Sequence, residues 1–313
     1  MSSLVSVKNI YKEFNEFQAV SGVSFSVKKS EVLGFLGPNG AGKTTTMRMI
    51  TGYLKPTKGS IKVCGNDVAK DLIAVQKKIG YLPEGGPLYS DMTPAGFLNF
   101  ICKIRGLDSF NTKERIDFVV DNLNLGDVFY KTIETLSKGY KRRVALAQAI
   151  IHDPEVLVLD EPTDGLDPNQ KYEVRQLIKQ MSEDKAIIIS THILEEVDAV
   201  CTNAIIISDG QIAASGKPEE LLMQDPDHNS VFVKLYKAPA DSVLNAILQL
   251  RNVERVNVES GNSIRAYPKN GKSILAQVSA AVRKKNAPID TIYEIHGSLN
   301  DSFRNFTKKH PEN

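Results

Sequence analysis

The sequence predicts an α/β fold with a mostly parallel β-sheet, followed by a second, smaller α+β domain. Three short apolar runs indicate the sheet, because parallel strands buried on both faces appear as continuous hydrophobic stretches. These runs cover residues 32–36, 156–159 and 187–189. Composition shifts at about residue 225, so the predicted domains are residues 1–224 and 225–313.

Composition limits the classes of protein to consider. The chain has 313 residues, of which 42% are hydrophobic and 24% charged, as expected of a globular protein with a sizeable core. A net charge of +2 lacks the basic footprint of a general nucleic-acid binder. We expect no secretory signal and no membrane span, and we expect the three cysteines to be reduced thiols. Any work at a membrane would then require a partner.

A glycine-rich turn follows the first apolar run. Residues 37–44, "GPNGAGKT", fit the spacing G-x-x-x-x-G-K-[ST], and a helix is predicted from Thr45 to Thr51. Glycines let backbone amides surround a phosphate, and a helix N-terminus adds further amides and a favourable dipole. Lys43 would reach the β- and γ-phosphates, and the Thr44 hydroxyl would ligate Mg²⁺. The alternative is a chance match in an ordinary turn, which the flanking strand and helix disfavour.

A second apolar run ends in two carboxylates. Residues 156–161 are "VLVLDE", which places Asp160 at the carboxyl edge of the predicted sheet, beside the glycine-rich turn. There Asp160 can hold Mg²⁺, usually through water, and Glu161 can polarise a water that attacks the γ-phosphate. The alternative is a strand that ends in ordinary solvated acids.

Longer motifs surround these carboxylates and resemble a known family. "LSKGYKRRVALAQAIIHDPEVLVLDEPTDGLDP" at 136–168 and "STH" at 190–192 resemble the nucleotide-binding subunit of an ATP-binding cassette (ABC) transporter. The resemblance covers residues 4–223 and is strongest to the ABC-2 exporter group, which includes gliding-motility and drug- or sodium-efflux ATPases. It implies a P-loop NTPase fold with an antiparallel β subdomain and a helical subdomain at about 84–150. It also implies Mg²⁺-dependent ATP hydrolysis at the cytoplasmic side of a membrane.

The resemblance assigns roles to individual residues. Phe14 would stack on adenine, although packing in the core is an alternative. Asp160 would hold the metal, Glu161 would be the general base, and Lys43 and His192 would contact the γ-phosphate, with His192 orienting the water. Asp167 would lie in a loop that communicates between two subunits. The resemblance places the phosphate loop at Gly37, Asn39, Gly40, Ala41, Gly42, Lys43, Thr44 and Thr45.

The segment "LSKGY" occupies the signature position of the family. Ser137, Lys138 and Gly139 would complete the site of a second subunit, with ATP between the two chains, and we expect a homodimer. Ser137 is also predicted to be the N-cap of the helix that follows. Lys138 replaces a glycine of the common LSGGQ, and either adds attraction for the γ-phosphate or is merely solvated.

A second departure lies in "YLPE" at 81–84. The family normally has glutamine where this chain has Glu84. A carboxylate of this length can still ligate a cation, so the predicted metal set is Thr44, Asp160 and Glu84. We expect tighter Mg²⁺ dependence rather than loss of activity.

The segment 85–106 leads into the helical subdomain. In the family this surface receives a short cytoplasmic helix of the membrane permease. Candidate docking residues are Pro87, Leu88, Tyr89 and Met92. Packing in the core is the alternative explanation for these four side chains.

The tail predicts a ferredoxin-like domain in the order β-α-β-β-α-β. The predicted elements are strand 231–236, helix 239–250, strands 253–258 and 263–267, helix 272–286 and strand 290–295. No catalytic cluster is evident there, and its role stays open. The last segment, 298–310, resembles the ending common in the exporter group.

The leading functional prediction is an ATPase subunit that drives transport through a separate permease, with export favoured by the resemblance. The alternative is a soluble ABC ATPase acting on nucleic acid or the ribosome. Such proteins usually carry two cassettes or a long coiled coil, whereas this chain has one phosphate loop and a near-neutral charge. A P-loop kinase would leave "LSKGY" and "DEPTDGLD" unexplained. We therefore expect no nucleic-acid partner.

Overall fold

The computed structural model describes residues 3–223, 227–269 and 271–295. The chain divides into two compact units, Met1–Lys217 and Pro218–Asn313. The domain boundary predicted from the sequence falls at residues 224–226, outside the described residues. The segment 298–310, predicted to form a family-like ending, lies outside them as well.

The first unit alternates strands and helices. Its strands are β1 (Ser3–Phe14), β2 (Phe17–Lys28), β3 (Glu31–Leu36), β4 (Lys58–Val63), β5 (Asn66–Asp67), β6 (Ile79–Leu82), β7 (Val156–Asp160), β8 (Ala186–Thr191), β9 (Asn203–Ser208) and β10 (Gln211–Gly216). Its helices are α1 (Lys43–Ile50), α2 (Leu72–Lys78), α3 (Pro94–Arg105), α4 (Ser109–Asn122), α5 (Lys138–Ile150), α6 (Pro168–Met181) and α7 (Leu194–Val200). Two short 3₁₀ turns lie at Gly126–Val128 and Ile133–Thr135.

The central sheet has the strand order β10-β9-β3-β8-β7-β6, and only β10 pairs antiparallel to its neighbour. The predicted mostly parallel sheet is therefore confirmed. All three apolar runs lie in its strands β3, β7 and β8. Successive side chains of β7 enter different cores, Val158 on one face and Leu157 and Leu159 on the other. Burial on both faces explains why this strand is hydrophobic throughout.

A second sheet packs over one face of the central sheet. It is antiparallel, with the order β2-β1-β4-β5, and it shares a core with strands β3, β7 and β8. The turn between β1 and β2 places Phe14 and Phe17 opposite each other at its tip. This is the antiparallel subdomain that the resemblance implied.

The predicted helical region contains α3, α4 and α5. Thr93 caps α3 by accepting a hydrogen bond from the Gly96 amide at 3.1 Å, and Pro94 occupies the first helical position. The helix ends at Gly106, whose φ of 77° is left-handed. Buried side chains of these helices, including Phe97, join the core beneath β7 and β8. Strands β7 and β8 therefore share one core with α5, the signature helix, which begins within the "LSKGY" segment.

The second unit begins with α8 (Pro218–Leu222) and continues through six elements. They are β11 (Ser230–Leu235), α9 (Asp241–Leu248), β12 (Val253–Ser260), β13 (Ser263–Pro268), α10 (Leu275–Lys284) and β14 (Ile289–Ile295). Their sheet is antiparallel with the order β12-β13-β11-β14. The predicted β-α-β-β-α-β order is confirmed, with ends that differ by one to three residues at most of the elements. Among the described residues, no helix is long and apolar enough to cross a membrane.

Candidate functional site

The glycine-rich turn joins β3 to α1, and its glycines are required by close packing. A Cβ on Gly37 would lie 2.6 Å from the Ile207 carbonyl oxygen. Gly42 has a left-handed φ of 102°, and a Cβ there would lie 2.6 Å from the Ala19 carbonyl oxygen. Gly40 is also left-handed, with φ of 82°, but a Cβ on it would meet no atom within 4 Å. The loop is thus fixed at its two ends and open in its middle, where an anion would enter.

Lys43 is the first residue of α1 and is buried within the loop. Its ammonium donates hydrogen bonds to the carbonyl oxygens of Gly37 at 2.7 Å and Pro38 at 3.2 Å. Burial lowers the pKa of Lys43, and the negative charge of three nearby carboxylates opposes that shift. These carboxylates belong to Glu161, Asp160 and Glu84. The structure therefore brings the loop, the two acids at the end of β7 and residue 84 close enough to interact electrostatically.

Asp160 ends β7 and is almost completely buried. One of its oxygens accepts a hydrogen bond from the Ser190 hydroxyl of β8, its partner in the parallel register. The other oxygen, Oδ2, is buried with no hydrogen-bond partner. Nearby, Thr44 Oγ1 lies 3.5 Å from Glu84 Oε2. An unsatisfied buried carboxylate oxygen beside other oxygen donors is the kind of site that a hard cation favours.

Glu161 faces His192 across the ends of β7 and β8. His192 Nδ1 lies 2.9 Å from each carboxylate oxygen of Glu161. Burial raises the pKa of the Glu161 carboxyl, while the hydrogen bond and charge of His192, and then the charge of Lys43, oppose that rise. Glu161 also has a left-handed φ of 52°, which is uncommon for a residue with a side chain. The pair is suited to hold a water and receive its proton.

A buried carboxylate that sequence reasoning missed supports this pair. Glu196 lies on α7 and is 2% exposed. It accepts hydrogen bonds from the hydroxyl groups of Thr163, just after Glu161, and of Thr191, just before His192, the latter at 2.8 Å. Glu196 therefore joins the segment that carries Glu161 to the segment that carries His192. The two acids "EE" at 195–196 gave no signal, because only the fold shows which one turns inward.

Phe14 lies at the exposed tip of β1 and is 45% exposed, so it is not a core residue. The Lys12 ammonium lies 5.0 Å from its ring centroid, over the ring. The alternative of core packing is thereby excluded. An open aromatic face at this position is available for stacking.

The signature residues lie at the N-terminus of α5. Ser137 is the N-cap, as predicted, and its hydroxyl accepts from the Tyr140 amide at 3.3 Å. Lys138 forms an ion pair with Asp164 of its own chain at 2.8 Å, and both side chains are exposed to solvent. A Cβ on Gly139 would lie 2.7 Å from Gln170 Oε1, the far end of a flexible side chain.

Asp167 caps the helix that follows the β7 motif. Its carboxylate accepts from the Gln170 amide at 2.9 Å, at the start of α6. The side chain is exposed and available to another chain.

A cleft of about 1110 Å³ lies beside β6 and α3. The predicted docking residues Pro87 and Tyr89 line it, together with exposed Tyr53, Ile73 and Ile104. For the other two candidates the structure favours the stated alternative, packing in the core. Leu88 and Met92 are half-buried and pack against the core of the helical region, because the segment folds back between α3 and the 3₁₀ turn at 133–135.

Comparisons with known proteins agree with this site. The protein family described as ABC transporter matches residues 20–164. The uncharacterized ABC transporter ATP-binding protein YcbN of Bacillus subtilis is 33% identical over 97% of this chain and 96% of its own length. The chain belongs to the ABC transporter ATP-binding subunits. It is therefore an ATP-binding and ATP-hydrolysing subunit, and the fold class predicted from the sequence is confirmed.

Other relatives of this ABC subunit are named for export or resistance. The Nod factor export ATP-binding protein I of Ralstonia nicotianae is 30% identical and covers 97% of the chain and 94% of its own length. The linearmycin resistance ATP-binding protein LnrL of Bacillus subtilis is 37% identical over 70% of each. These names give no support to the alternative of a nucleic-acid or ribosome ATPase.

Solved ABC cassettes share the fold of the first unit. An ATP-binding subunit of an ABC transporter superposes with a TM-score of 0.67 at 26% identity, covering 71% of this chain and 93% of that one. CbiO1 from Clostridium perfringens, part of the transporter complex CbiONQ, gives 0.64 at 27% identity, covering 72% and 92%. The ABC transporter cassette MJ0796, solved as a dimer, has the same fold, with a TM-score of 0.64 at 23% identity over 68% of this chain and 98% of that one.

Proposed function

We propose that this ABC subunit hydrolyses ATP in a site completed by a second copy of the chain, and so drives export through a separate permease. One observation carries the proposal. Lys43, the buried Asp160 and the Glu161–His192 pair meet at one edge of the central sheet, beside an open glycine loop. A phosphate-binding loop with a lysine, a carboxylate that can hold a metal and a second carboxylate that can accept a proton from water are the groups that hydrolysis of a triphosphate requires.

Each group has a role that follows from its surroundings. The backbone amides of 37–44 and Lys43 bind the β- and γ-phosphates, and Lys43 exchanges its carbonyl partners for phosphate oxygens. Phe14 presents its open face to the adenine. Glu161 accepts the proton of the attacking water, and His192 keeps the carboxylate oriented toward it.

The residues present fit Mg²⁺. Thr44 and Glu84 supply oxygens close to each other, and Asp160 supplies a buried oxygen that has no hydrogen-bond partner. When bound, the ion neutralises charge that develops on the transferring phosphate. Because Glu84 adds a carboxylate where relatives have an amide, nucleotide binding should depend more steeply on Mg²⁺ than in a Glu84→Gln variant.

The second subunit contributes from its signature helix. Ser137 is exposed at the N-terminus of α5, where helix amides and the dipole favour an anion. We infer that it binds the γ-phosphate held by the other chain, with Lys138 and Gly139 beside it. Asp167 would face the same junction. ATP thus closes the dimer, and loss of the γ-phosphate opens it.

The cleft between β6 and α3 is the proposed permease site. Exposed aromatic and aliphatic side chains such as Tyr89, Ile73 and Ile104 form its apolar lining. Docking of a permease there would hold the subunit at the cytoplasmic side of the membrane. A co-expressed permease should co-purify with the wild-type subunit and not with the Ile104→Glu variant. The ATPase rate of the isolated variant should equal that of the isolated wild type.

A Glu161→Gln variant tests the catalytic proposal. It should bind ATP with unchanged affinity, lose at least ~100-fold in turnover, and remain a dimer in ATP and Mg²⁺. Glu195→Gln, which changes an exposed acid on α7, is the matched control and should behave as wild type. Turnover within tenfold of wild type would remove Glu161 from the base role. A variant that binds ATP but stays monomeric would refute the completed-site arrangement.

A further inference from the structure

Two adjacent arginines in the signature helix are equally buried but have different partners. Arg142 and Arg143 are each 6% exposed. Arg142 Nη1 donates to the Pro83 carbonyl oxygen at 3.0 Å, and Nη2 donates to the carbonyl oxygens of Asp160 and Glu161. No carboxylate of the described residues forms an ion pair with Arg142. All hydrogen bonds of this guanidinium go to main-chain oxygens, and its Nε has no hydrogen-bond partner. The negative charge of Asp164, Asp160, Glu161 and Glu84 acts on it from beyond ion-pair distance.

The three carbonyl groups belong to segments that carry the proposed site. Pro83 precedes Glu84, and Asp160 and Glu161 are the two acids that end β7. Arg142 itself lies one helical turn after the Ser137 cap. A planar guanidinium with several donors in fixed directions can hold such groups at a defined separation. The Arg142 side chain therefore joins the signature helix to the segment before Glu84 and to the end of β7.

The backbone of Glu161 needs support at this point. Its left-handed φ of 52° is costly for a residue with a side chain. Its amide donates to the Ser190 carbonyl at 3.0 Å, and its carbonyl accepts from the Asp164 amide at 3.1 Å as well as from Arg142. Arg142 binds the carbonyl oxygens of the two peptide groups that flank the Glu161 Cα, and so fixes the backbone from which the side chain projects. Loss of Arg142 would therefore let the carboxylate turn away from His192.

We propose that Arg142 is a positioning residue that holds the Glu161 carboxylate in its catalytic orientation by binding the main-chain oxygens of residues 83, 160 and 161. The inference rests on the proposed role of Glu161 as the base. Arg142 touches no reacting atom, so its effect is on turnover rather than on nucleotide affinity. It also makes the orientation of Glu161 depend on the position of the signature helix.

Arg143 provides the matched control. It is the next residue of the same helix, but Nη1 donates to the Leu123 carbonyl at 3.1 Å and Nη2 to Glu173 Oε2 at 3.0 Å. Both partners lie away from the nucleotide site. An Arg143→Met variant therefore loses a buried cation of similar cost without disturbing residues 83, 160 or 161.

The experiment compares Arg142→Met, Arg142→Lys, Arg143→Met and Glu161→Gln in the full chain. Steady-state ATPase assays give kcat and KM for each variant, and titration with a fluorescent ATP analogue gives its nucleotide affinity. Hydrogen exchange reports how well the backbone amides of residues 158–166 are protected. For Arg142→Met we expect kcat lower by about 10–100-fold with affinity within threefold, and faster exchange in that peptide. Arg142→Lys should recover part of the rate, because one ammonium can replace some of the donors.

The outcomes separate the two proposals. If Arg142→Met keeps kcat within twofold, or if Arg143→Met loses kcat and gains exchange at 158–166 equally, Arg142 has no positioning role. If Glu161→Gln retains turnover, the base assignment fails whatever Arg142 does. Should Arg142→Met fail to fold, Arg142→Lys and Arg142→Gln decide together. Wild-type kcat and exchange in Arg142→Lys support the positioning role if Arg142→Gln loses kcat. If Arg142→Gln also keeps wild-type kcat and exchange, the positioning role is overturned.

Discussion

The buried bridge at Glu196 gives a prediction that depends only on the geometry of the fold. Thr163 is 2% exposed, and its hydroxyl donates to one carboxylate oxygen of Glu196, while Thr191 donates to the other at 2.8 Å. Valine has nearly the shape of threonine but has no donor. A Thr163→Val variant therefore leaves one oxygen of a buried carboxylate without its hydrogen bond and changes little else.

The magnitude follows from the kind of bond that is lost. A hydrogen bond to a charged group contributes about 1.5–3 kcal/mol, more than one between neutral groups. In a unit of this size, 1 kcal/mol moves Tm by about 2–4 °C, so we expect Tm to fall by about 3–12 °C. Scanning calorimetry of the full chain measures this on the transition of the first unit.

Thr51→Val is the control for this measurement. Thr51 is a buried threonine whose hydroxyl donates to the neutral Met47 carbonyl at 2.9 Å, inside α1. Its replacement should cost only about 0.5–1.5 kcal/mol. If Thr163→Val lowers Tm no more than Thr51→Val does, the carboxylate bridge contributes nothing special and the reasoning is refuted.

Three further substitutions test the candidate site and the packing of the sheet beside it. Because the His192 hydrogen bond opposes the burial that raises the pKa of Glu161, His192→Ala should move the acid limb of residual kcat to higher pH; an unmoved limb contradicts it. Ser137→Ala should lose about 1 kcal/mol of stability as a cap, and lose ATP-dependent dimers in gel filtration while keeping nucleotide affinity. Gly80→Ala places a Cβ 2.0 Å from the Ala149 carbonyl oxygen, so urea unfolding should show a loss of about 1–3 kcal/mol, unlike Gly126→Ala, where no atom lies within 4 Å.

The parts of the site that sequence reasoning predicted are those encoded by local spacing. The strand before residues 37–44 and the strand ending at Asp160 are continuous apolar runs, and parallel pairing brings their ends to one edge whatever the loops do. Ser137 was identified as a cap because serine followed by good helix formers is a local signal.

The parts that escaped prediction depend on long-range packing. Glu196 follows another glutamate, and Arg142 is followed by another arginine, so neither differs from its neighbour in the sequence. The rotation of α7 against the sheet sets which of the two glutamates is buried. The rotation of α5 sets which of the two buried arginines reaches the main chain of residues 83, 160 and 161. Leu88 and Met92 were expected at the surface for the same reason, since an apolar residue in a loop carries no mark of the side on which the chain returns.

Strand β6 connects the cleft proposed for the permease with the proposed site of ATP hydrolysis. It is the edge strand of the central sheet in the described part of the chain, so carbonyl groups on its outer side have no strand partner. Side chains in and just after α5 bind them instead: Gln148 donates to Tyr81 O at 2.8 Å, His152 lies 3.1 Å from Ile79 O, and Arg142 donates to Pro83 O. Since β6 leads into both Glu84 and the cleft proposed for the permease, we expect a partner that shifts this strand to shift α5 as well.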